Sequence, residues 1–229
     1  MSSESGKRLW VVIAAYNEAE VLGRVVADVR QREYQIVVVD DGSGDTTGDM
    51  AHNAGAAVVR HPVNLGQGAA LQTGIYYALC QGADYIITFD ADGQHRVQDI
   101  DALIAAIEKH GVDFALGSRF LGSAIDLPPA RRILLKAAIR FTRLTTGLRI
   151  TDTHNGLRAM TRRGASCISL RQNRMAHASE FLDQIAHSGL PWVEVPVTIR
   201  YSGYSLAKGQ RLGDSLAILV DLSAQRLQR

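Results

Sequence analysis

Short apolar runs recur along the first half of the chain, each followed by a longer stretch with apolar positions every three or four residues. The runs 9–15, 35–40, 56–60, 85–90 and 113–117 have the length and β-branched content of buried strands. Between them, 19–30, 46–54, 66–80 and 97–110 carry the helical period. Strands alternating with helices in this way predict an α/β fold with a mostly parallel sheet flanked by helices. The alternation stops near residue 120, where Pro128-Pro129 marks a break before a long basic helical pattern. The run 193–201 reads as a strand again, and Pro196 within it suits an edge or a bulge. Residues 213–229 read as a terminal amphipathic helix.

Three predicted strands end in polar residues. The first runs into Ala14-Ala15-Tyr16-Asn17-Glu18, the second into Asp40-Asp41-Gly42-Ser43, and that at 85–90 into Asp90-Ala91-Asp92-Gly93-Gln94-His95. In a parallel sheet such ends share one edge, where open α/β sheets bind ligands. Acids and an aromatic ring would therefore meet around one crevice. Asp90 and Asp92, at a strand-to-loop junction, offer hard oxygen ligands suited to Mg2+ or Mn2+ holding a diphosphate. Alone, the pair reads equally well as solvated acids ending a strand, with Gly93 making the turn. The fingerprint G-x-G-x-x-G is absent after the first strand, and G-x-x-x-x-G-K-S/T is absent too. Their absence argues against NAD or FAD and against a P-loop NTPase. Asn64-Leu65-Gly66-Gln67-Gly68 opens a helix, and its glycines suit a tight turn and close packing better than phosphate contact.

Composition narrows the class. A chain of 229 residues fits one large domain and needs neither disulfides nor metal to fold. A formal charge of +2 is too small to argue for nucleic acid. Cys80 and Cys167 lie in no ligand spacing, which fits a reducing, cytoplasmic setting. The start, 1–6, has no apolar signal core and reads as a short loose tail. Nothing approaches the run of about 18 apolar residues that a spanning helix needs.

Charge is concentrated late. Arg119 ends Gly117-Ser118-Arg119 after the fifth predicted strand, where a guanidinium can clamp a phosphate bidentately. Residues 127–149 carry Arg131, Arg132, Lys136, Arg140, Arg143 and Arg149 with no acid. Arg132, Lys136, Arg140 and Arg143 form one helical stripe, which reads as a membrane-surface contact. Leu212, Leu216, Leu219, Val220 and Leu222 in the terminal helix would add apolar contact there, or dock a membrane partner or second subunit. Glu180 and Asp183 lie one helical turn apart after His177; Glu180 is a candidate base or a loop-ordering group. His95 and His154 are expected to be loop hydrogen-bonders rather than metal ligands.

Six motifs taken together resemble the family 2 glycosyltransferases with the GT-A, Rossmann-like fold. These are Ala15-Tyr16-Asn17-Glu18, Val39-Asp40-Asp41-Gly42-Ser43, the Asn64–Gly68 loop, the Asp90–His95 loop, Gly117-Ser118-Arg119, and Asp152-Thr153-His154-Asn155-Gly156-Leu157-Arg158-Ala159. Within that family the chain is most similar to the dolichyl-phosphate mannosyltransferase and polyprenyl-phosphate glycosyltransferase branch, over roughly 9–210. The resemblance implies a single glycosyltransferase domain over 1–229. Its parts would be a nucleotide-sugar half at 7–120, an acceptor-side extension at 121–210 and an amphipathic helix at 211–229.

It further implies that Tyr16, Glu18, Val38 and Asp40 line the base and ribose pocket, a ring stacking on the base and carboxylates accepting from N–H and O–H groups. Ala14, Asp90, Ala91, Asp92, Arg119, Arg200 and Lys208 would complete the donor site. Asp92 and Gln94 would hold Mg2+ or Mn2+, and Asp92, Arg119, Arg131 and Glu180 would serve catalysis. The implied reaction is an inverting hexosyl transfer to a polyprenyl phosphate at the cytoplasmic face of a membrane.

The acceptor end departs from the family pattern. Ala14 replaces a usual proline, and Leu135 and Ile139 stand where lipid-phosphate users often carry serine and asparagine. Leu206 replaces a lysine that Lys208 could supply, and His154-Asn155-Gly156 replaces serine-glycine-phenylalanine. Two rival readings stay open: transfer to a hydroxyl of a glycan or glycolipid with Glu180 or Asp183 as base, and a non-catalytic sugar-nucleotide-binding subunit of a membrane assembly.

Overall fold

The computed structural model describes residues 7–172, 176–201 and 203–204. Four strands and their helices come first: β1 (Leu9–Ala15), α1 (Ala19–Arg30), β2 (Gln35–Asp40), α2 (Thr47–Asn53), β3 (Ala57–Arg60), α3 (Gln67–Cys80), β4 (Tyr85–Asp90) and α4 (Gln98–His110). Then come β5 (Phe114–Ile125), α5 (Pro129–Thr146), β6 (Arg158–Thr161), α6 (Arg162–Ser166), α7 (His177–Ser188) and β7 (Trp192–Arg200). The seven strands form one sheet in the order β3-β2-β1-β4-β6-β5-β7. All neighbours are parallel except β6, which runs antiparallel to both β4 and β5.

The apolar runs are strands because both faces of the sheet are covered. In β1, Val11, Ile13 and Ala15 pack into the layer under α1 and α4, while Trp10 and Val12 pack into the layer under α3 and α7. That double burial is what makes parallel strands read as near-continuous hydrophobic runs.

The second half departs from the simple alternation. β6 is four residues long and wedges between β4 and β5, where the sequence pattern predicts no strand. β5 runs on to Ile125, so Arg119 lies within the strand rather than past its end. The extension pairs with β7 after a register shift between Ser118 and Ser123. Gly122 is needed there: a Cβ at this position would lie 2.2 Å from the Val197 carbonyl oxygen. β7 is an edge strand, as Pro196 predicts.

α5 starts at Pro129, a residue suited to the first helical position, and ends before Gly147 in the left-handed region. It buries Leu135, Ala138, Ile139 and Thr142 and leaves Arg132, Lys136, Arg140 and Arg143 exposed. Ile133 and Leu144, at 71% and 87% exposure, share the uncovered side. No described helix is long and apolar enough to cross a membrane. The expected tail at 1–6, the helix at 211–229 and Lys208 lie outside the described residues.

Candidate functional site

β1, β2 and β4 end level with one another, Ala15 opposite Asp40 and Ala14 opposite Asp90, so three loops open on one edge. The first two loops are tied together by short polar side chains. Asn17, in the left-handed region at φ 53°, donates its N–H to Ser43 Oγ at 3.0 Å, and its Oδ1 accepts from the Gly44 N–H at 2.9 Å. The Glu18 N–H donates to Thr47 Oγ1 at 2.8 Å. These bonds present Tyr16, 46% exposed, and the half-buried Glu18 on the crevice rim. Glu18 also accepts from the Tyr204 hydroxyl at 2.7 Å.

Two residues expected in the base pocket face inward instead. Val38 is fully buried in the hydrophobic layer under α1, so its side chain cannot line a pocket. Asp40 is also fully buried; its Oδ1 accepts from the Ser43 N–H at 2.9 Å. Arg60 approaches Asp40 Oδ2 to 3.4 Å without the alignment of a hydrogen bond. Asp41 anchors the glycine loop: its carboxylate accepts from the Leu65 and Gly66 N–H groups at 2.9 and 2.7 Å and meets His61 Nδ1 at 2.7 Å. That is the turn role which the glycines suggest.

The Asp90–His95 loop is held from both sides. His95 Nε2 bonds Asp90 Oδ2 at 2.7 Å, and the ring, buried, packs at a tilt on Phe89. The Gln94 carbonyl accepts from the Arg200 N–H at 3.1 Å, so the loop adds to the end of β7. This is the contact seen at Arg200. Burial pushes the Asp90 carboxyl up, but the hydrogen bond and charge of His95, with Arg158 and His177, more than offset it and hold the group below its ordinary value. Asp92 goes the other way: burial and the charge of Asp90 raise it to about 6. A divalent ion would relieve that repulsion, so the residues fit one held by Asp92 together with ligand oxygens and water. No group of three metal-binding side chains exists among the described residues, and such a site needs none. Gln94 donates its amide nitrogen to Asp92 Oδ2 at 2.6 Å and so steadies that carboxylate. Ala14 and the buried Ala91 lie at the same strand ends.

The segment around Arg119 is built around buried charge. Arg119, 6% exposed, donates its N–H and Nε to Asp152 Oδ2 at 3.0 and 2.6 Å and its terminal nitrogens to the Tyr201 hydroxyl and the His154 carbonyl. Burial lowers its basicity, but Asp152 and Tyr201 restore and raise it. Three of the five guanidinium N–H groups thus donate to protein acceptors, so Arg119 also ties this segment together. Glu194 of β7 fixes the turn behind it, accepting from Thr151 N–H and hydroxyl and from Asp152 N–H at 2.7, 3.0 and 3.2 Å. Arg131 stacks over Tyr201, its Cζ 5.2 Å from the ring centroid. Burial pushes the His154 ring down to about 4, so it stands neutral, bonded through Nδ1 to Thr153 Oγ1 at 2.7 Å.

Glu180 is tied to the backbone of another segment. Its carboxylate accepts from the Arg171 and Gln172 N–H groups at 3.0 and 2.8 Å, ordering the loop before α7. Asp183 faces His187 one turn on, at 3.6 Å. Sequence reasoning assigns no role to Arg158, yet it is 4% exposed, lies over the Phe181 ring at 4.4 Å, and feels both Asp90 and Asp152. Its signal was its place in the Asp152–Ala159 motif; the strand that buries it was not visible.

The glycosyl transferase family 2 model matches residues 10–168, and the chain belongs to that family; it is a glycosyltransferase. It is 31% identical to a UDP-N-acetylglucosamine–dolichyl-phosphate N-acetylglucosaminyltransferase of Methanococcus voltae, over 89% of this chain and 90% of that one. It is 31% identical to a polyprenol monophosphomannose synthase of Mycolicibacterium smegmatis, over 92% and 84%. A crystal structure of glucosyl-3-phosphoglycerate synthase from Mycobacterium tuberculosis, in complex with Mn2+, UDP-glucose and phosphoglyceric acid, superposes with a TM-score of 0.71. That match is at 17% identity over 97% of this chain and 79% of that one, and the shared fold is GT-A.

Proposed function

We propose that this enzyme moves a hexosyl group, with inversion, from a nucleoside-diphosphate sugar to a polyprenyl phosphate. The observation that carries the reading is the pairing of an acid loop for the donor with an acceptor side whose candidate base, Glu180, is tied to two backbone N–H groups. A hydroxyl acceptor needs a base; a phosphate is already anionic at neutral pH. The relatives' names, one a dolichyl-phosphate transferase and one a polyprenol-phosphate synthase, support the same acceptor class.

In the reaction, an oxygen of the acceptor phosphate attacks the anomeric carbon as its bond to the donor diphosphate breaks. The nucleoside diphosphate leaves with both electrons of that bond. Tyr16 and Glu18 would hold the nucleoside, Asp90 the donor near its sugar, and Arg131 the acceptor side. Asp92 would hold Mg2+ or Mn2+, which supplies charge neutralisation for the leaving diphosphate. Arg119 holds Asp152, His154 and Tyr201 in place around the reacting groups.

A membrane-borne acceptor also gives the outer face of α5 a use. Arg132, Lys136, Arg140 and Arg143 flank the exposed Ile133 and Leu144, a face suited to the cytoplasmic surface of an anionic bilayer.

The test is incubation with UDP-, GDP- and dTDP-sugars plus Mn2+, with and without polyprenyl phosphate. Sugar transfer dependent on the lipid phosphate is expected. Transfer to a soluble glycan hydroxyl and not to lipid phosphate would replace this reading with the rival one. Donor binding with no turnover on either acceptor would favour the non-catalytic subunit.

A further inference from the structure

We propose that Arg158 is a phosphate-binding residue, its guanidinium fork taking a phosphate oxyanion in the crevice beside Asp90. The inference rests on the transfer reading above and adds a residue to it.

The strand β6 sets the position. Arg158 pairs with Thr88 of β4 on one side and Leu116 of β5 on the other, so it shares their face of the sheet. Asp90 lies two residues past Thr88 on that same face. Gly156, two residues before Arg158, lets the Asp90 carboxylate pack against the backbone: a Cβ there would sit 2.2 Å from Asp90 Oδ1. Arg158 therefore reaches toward the strand end where the donor loop begins.

Its chemistry is unfinished. The residue is 4% exposed, and among the described residues its guanidinium makes no hydrogen bond or ion pair; it lies over the Phe181 ring. A guanidinium carries five N–H donors, and a stacked ring beneath it fills none of them, so they remain open to a ligand in the crevice. The neighbouring acids attract it without bonding it, and Asp152 Oδ1 is left without a hydrogen bond. Asp90 already has His95 at 2.7 Å, and Asp152 already has Arg119 at 2.6 Å. Burial lowers Arg158 to about 10 despite both acids, so it remains charged at neutral pH. A fixed, charged, unfilled fork matches a phosphate bidentately. Arg119, by contrast, gives three of its five guanidinium N–H groups to protein acceptors.

Two phosphates could fill this place, the donor diphosphate and the acceptor phosphate, and the experiment separates them. Full-length wild type, Arg158→Met and Arg158→Lys are titrated calorimetrically in Mn2+ with the nucleoside diphosphate that wild type binds, its nucleoside, a short-chain prenyl phosphate and the matching prenol. If the donor fills the site, Arg158→Met loses about tenfold or more for the nucleoside diphosphate and nothing for the nucleoside. If the acceptor fills it, the same loss falls on the prenyl phosphate and spares the prenol. Should Arg158→Met fail to fold, Arg158→Lys keeps the charge without the fork and is expected to lose about threefold for one phosphate ligand. Wild-type affinities in either folded variant, or equal losses for ligands with and without phosphate, would overturn the assignment. Variants that match a wild type active in transfer sink this inference alone. A wild type that binds neither phosphate ligand sinks the transfer reading along with it.

Discussion

The loops at the ends of β1 and β2 and the segment around Arg119 are both polar, yet they are held together in opposite ways. The first are laced by Asn17, Ser43 and Thr47, short neutral side chains bonding backbone groups fewer than 30 residues away. The second depends on charge brought from far along the chain: Arg119 meets Asp152, 33 residues on, and Tyr201, 82 residues on. Short neutral ties are each worth about 1 kcal/mol and fail singly. Buried ion pairs fail together, because removing one member strands the other. The loops after β1 and β2 are thus tolerant and locally adjustable, and the segment around Arg119, the proposed acceptor side, is brittle.

The largest expected effect is at Asp92, where chemistry and charge repulsion coincide. Asp92→Asn should lower turnover by about 100-fold or more, since a metal ligand stabilises the leaving group by several kcal/mol. It should also raise metal-free stability. The Asp92 carboxyl stands at about 6 in the fold, above its ordinary value near 3.8, so its stabilising contribution is full below 3.8 and lost as pH rises through 6. At pH 7.5 the variant should gain about 1–2 kcal/mol in urea unfolding without metal, and Mn2+ should narrow the gap. A variant less stable than wild type in metal-free buffer would remove the repulsion argument.

Next is Arg119→Met, which strands Asp152 inside the protein. A loss of about 3–5 kcal/mol is expected, with a drop in urea midpoint at unchanged slope. A loss under about 1 kcal/mol would show that the acceptor side is no more brittle than the donor side.

These two residues also mark how far the amino-acid pattern was legible. Asp92 follows a strand whose bounds, like those of β1 and β2, are set by continuous apolar runs buried on both faces. Such runs are visible without knowing any partner. β6 is not, because Arg158–Thr161 is short and begins with a charged residue; its strand conformation comes from β4 and β5 on either side. The far half of β5 is mostly exposed and carries Gly122 and Ser123, so nothing local distinguishes it from a loop. The fates of Arg119 and Glu180 were hidden for the same reason. Residue type and position make them candidates, but how a charged group is engaged depends on partners that only the fold brings to it.

The third prediction concerns His154, inside the brittle region. Burial, the leading cause, lowers its ring from the ordinary 6.5 to about 4, so the fold favours the neutral form. Its contribution is full above 6.5 and is lost as pH falls through 4. Because the residue is half-buried, about 1–2 kcal/mol is the expected loss across that window. His154→Gln should flatten the acid limb of a stability–pH profile between those limits; an unchanged limb would place the burden on another group.

The smallest effect is expected at Ser43. Ser43→Ala deletes one acceptor for the Asn17 N–H and keeps the Ser43 N–H that holds Asp40. About 1 kcal/mol should be lost. Asn17 sits in the left-handed region and is held there from both sides, so loosening one tie should let Tyr16 and Glu18 shift. The expected kinetic signature is a KM for donor raised a few-fold, with kcat at saturating donor and KM for acceptor unchanged. The two halves do touch, through Tyr204 on Glu18 and Arg200 on Gln94, and the double variant with Arg119→Met measures how strongly. If ties on the donor side are local, the two losses add to within about 0.5 kcal/mol. A larger coupling would mean that the Tyr204 contact carries strain from the acceptor side into the nucleotide pocket, and the two regions would have to be treated as one.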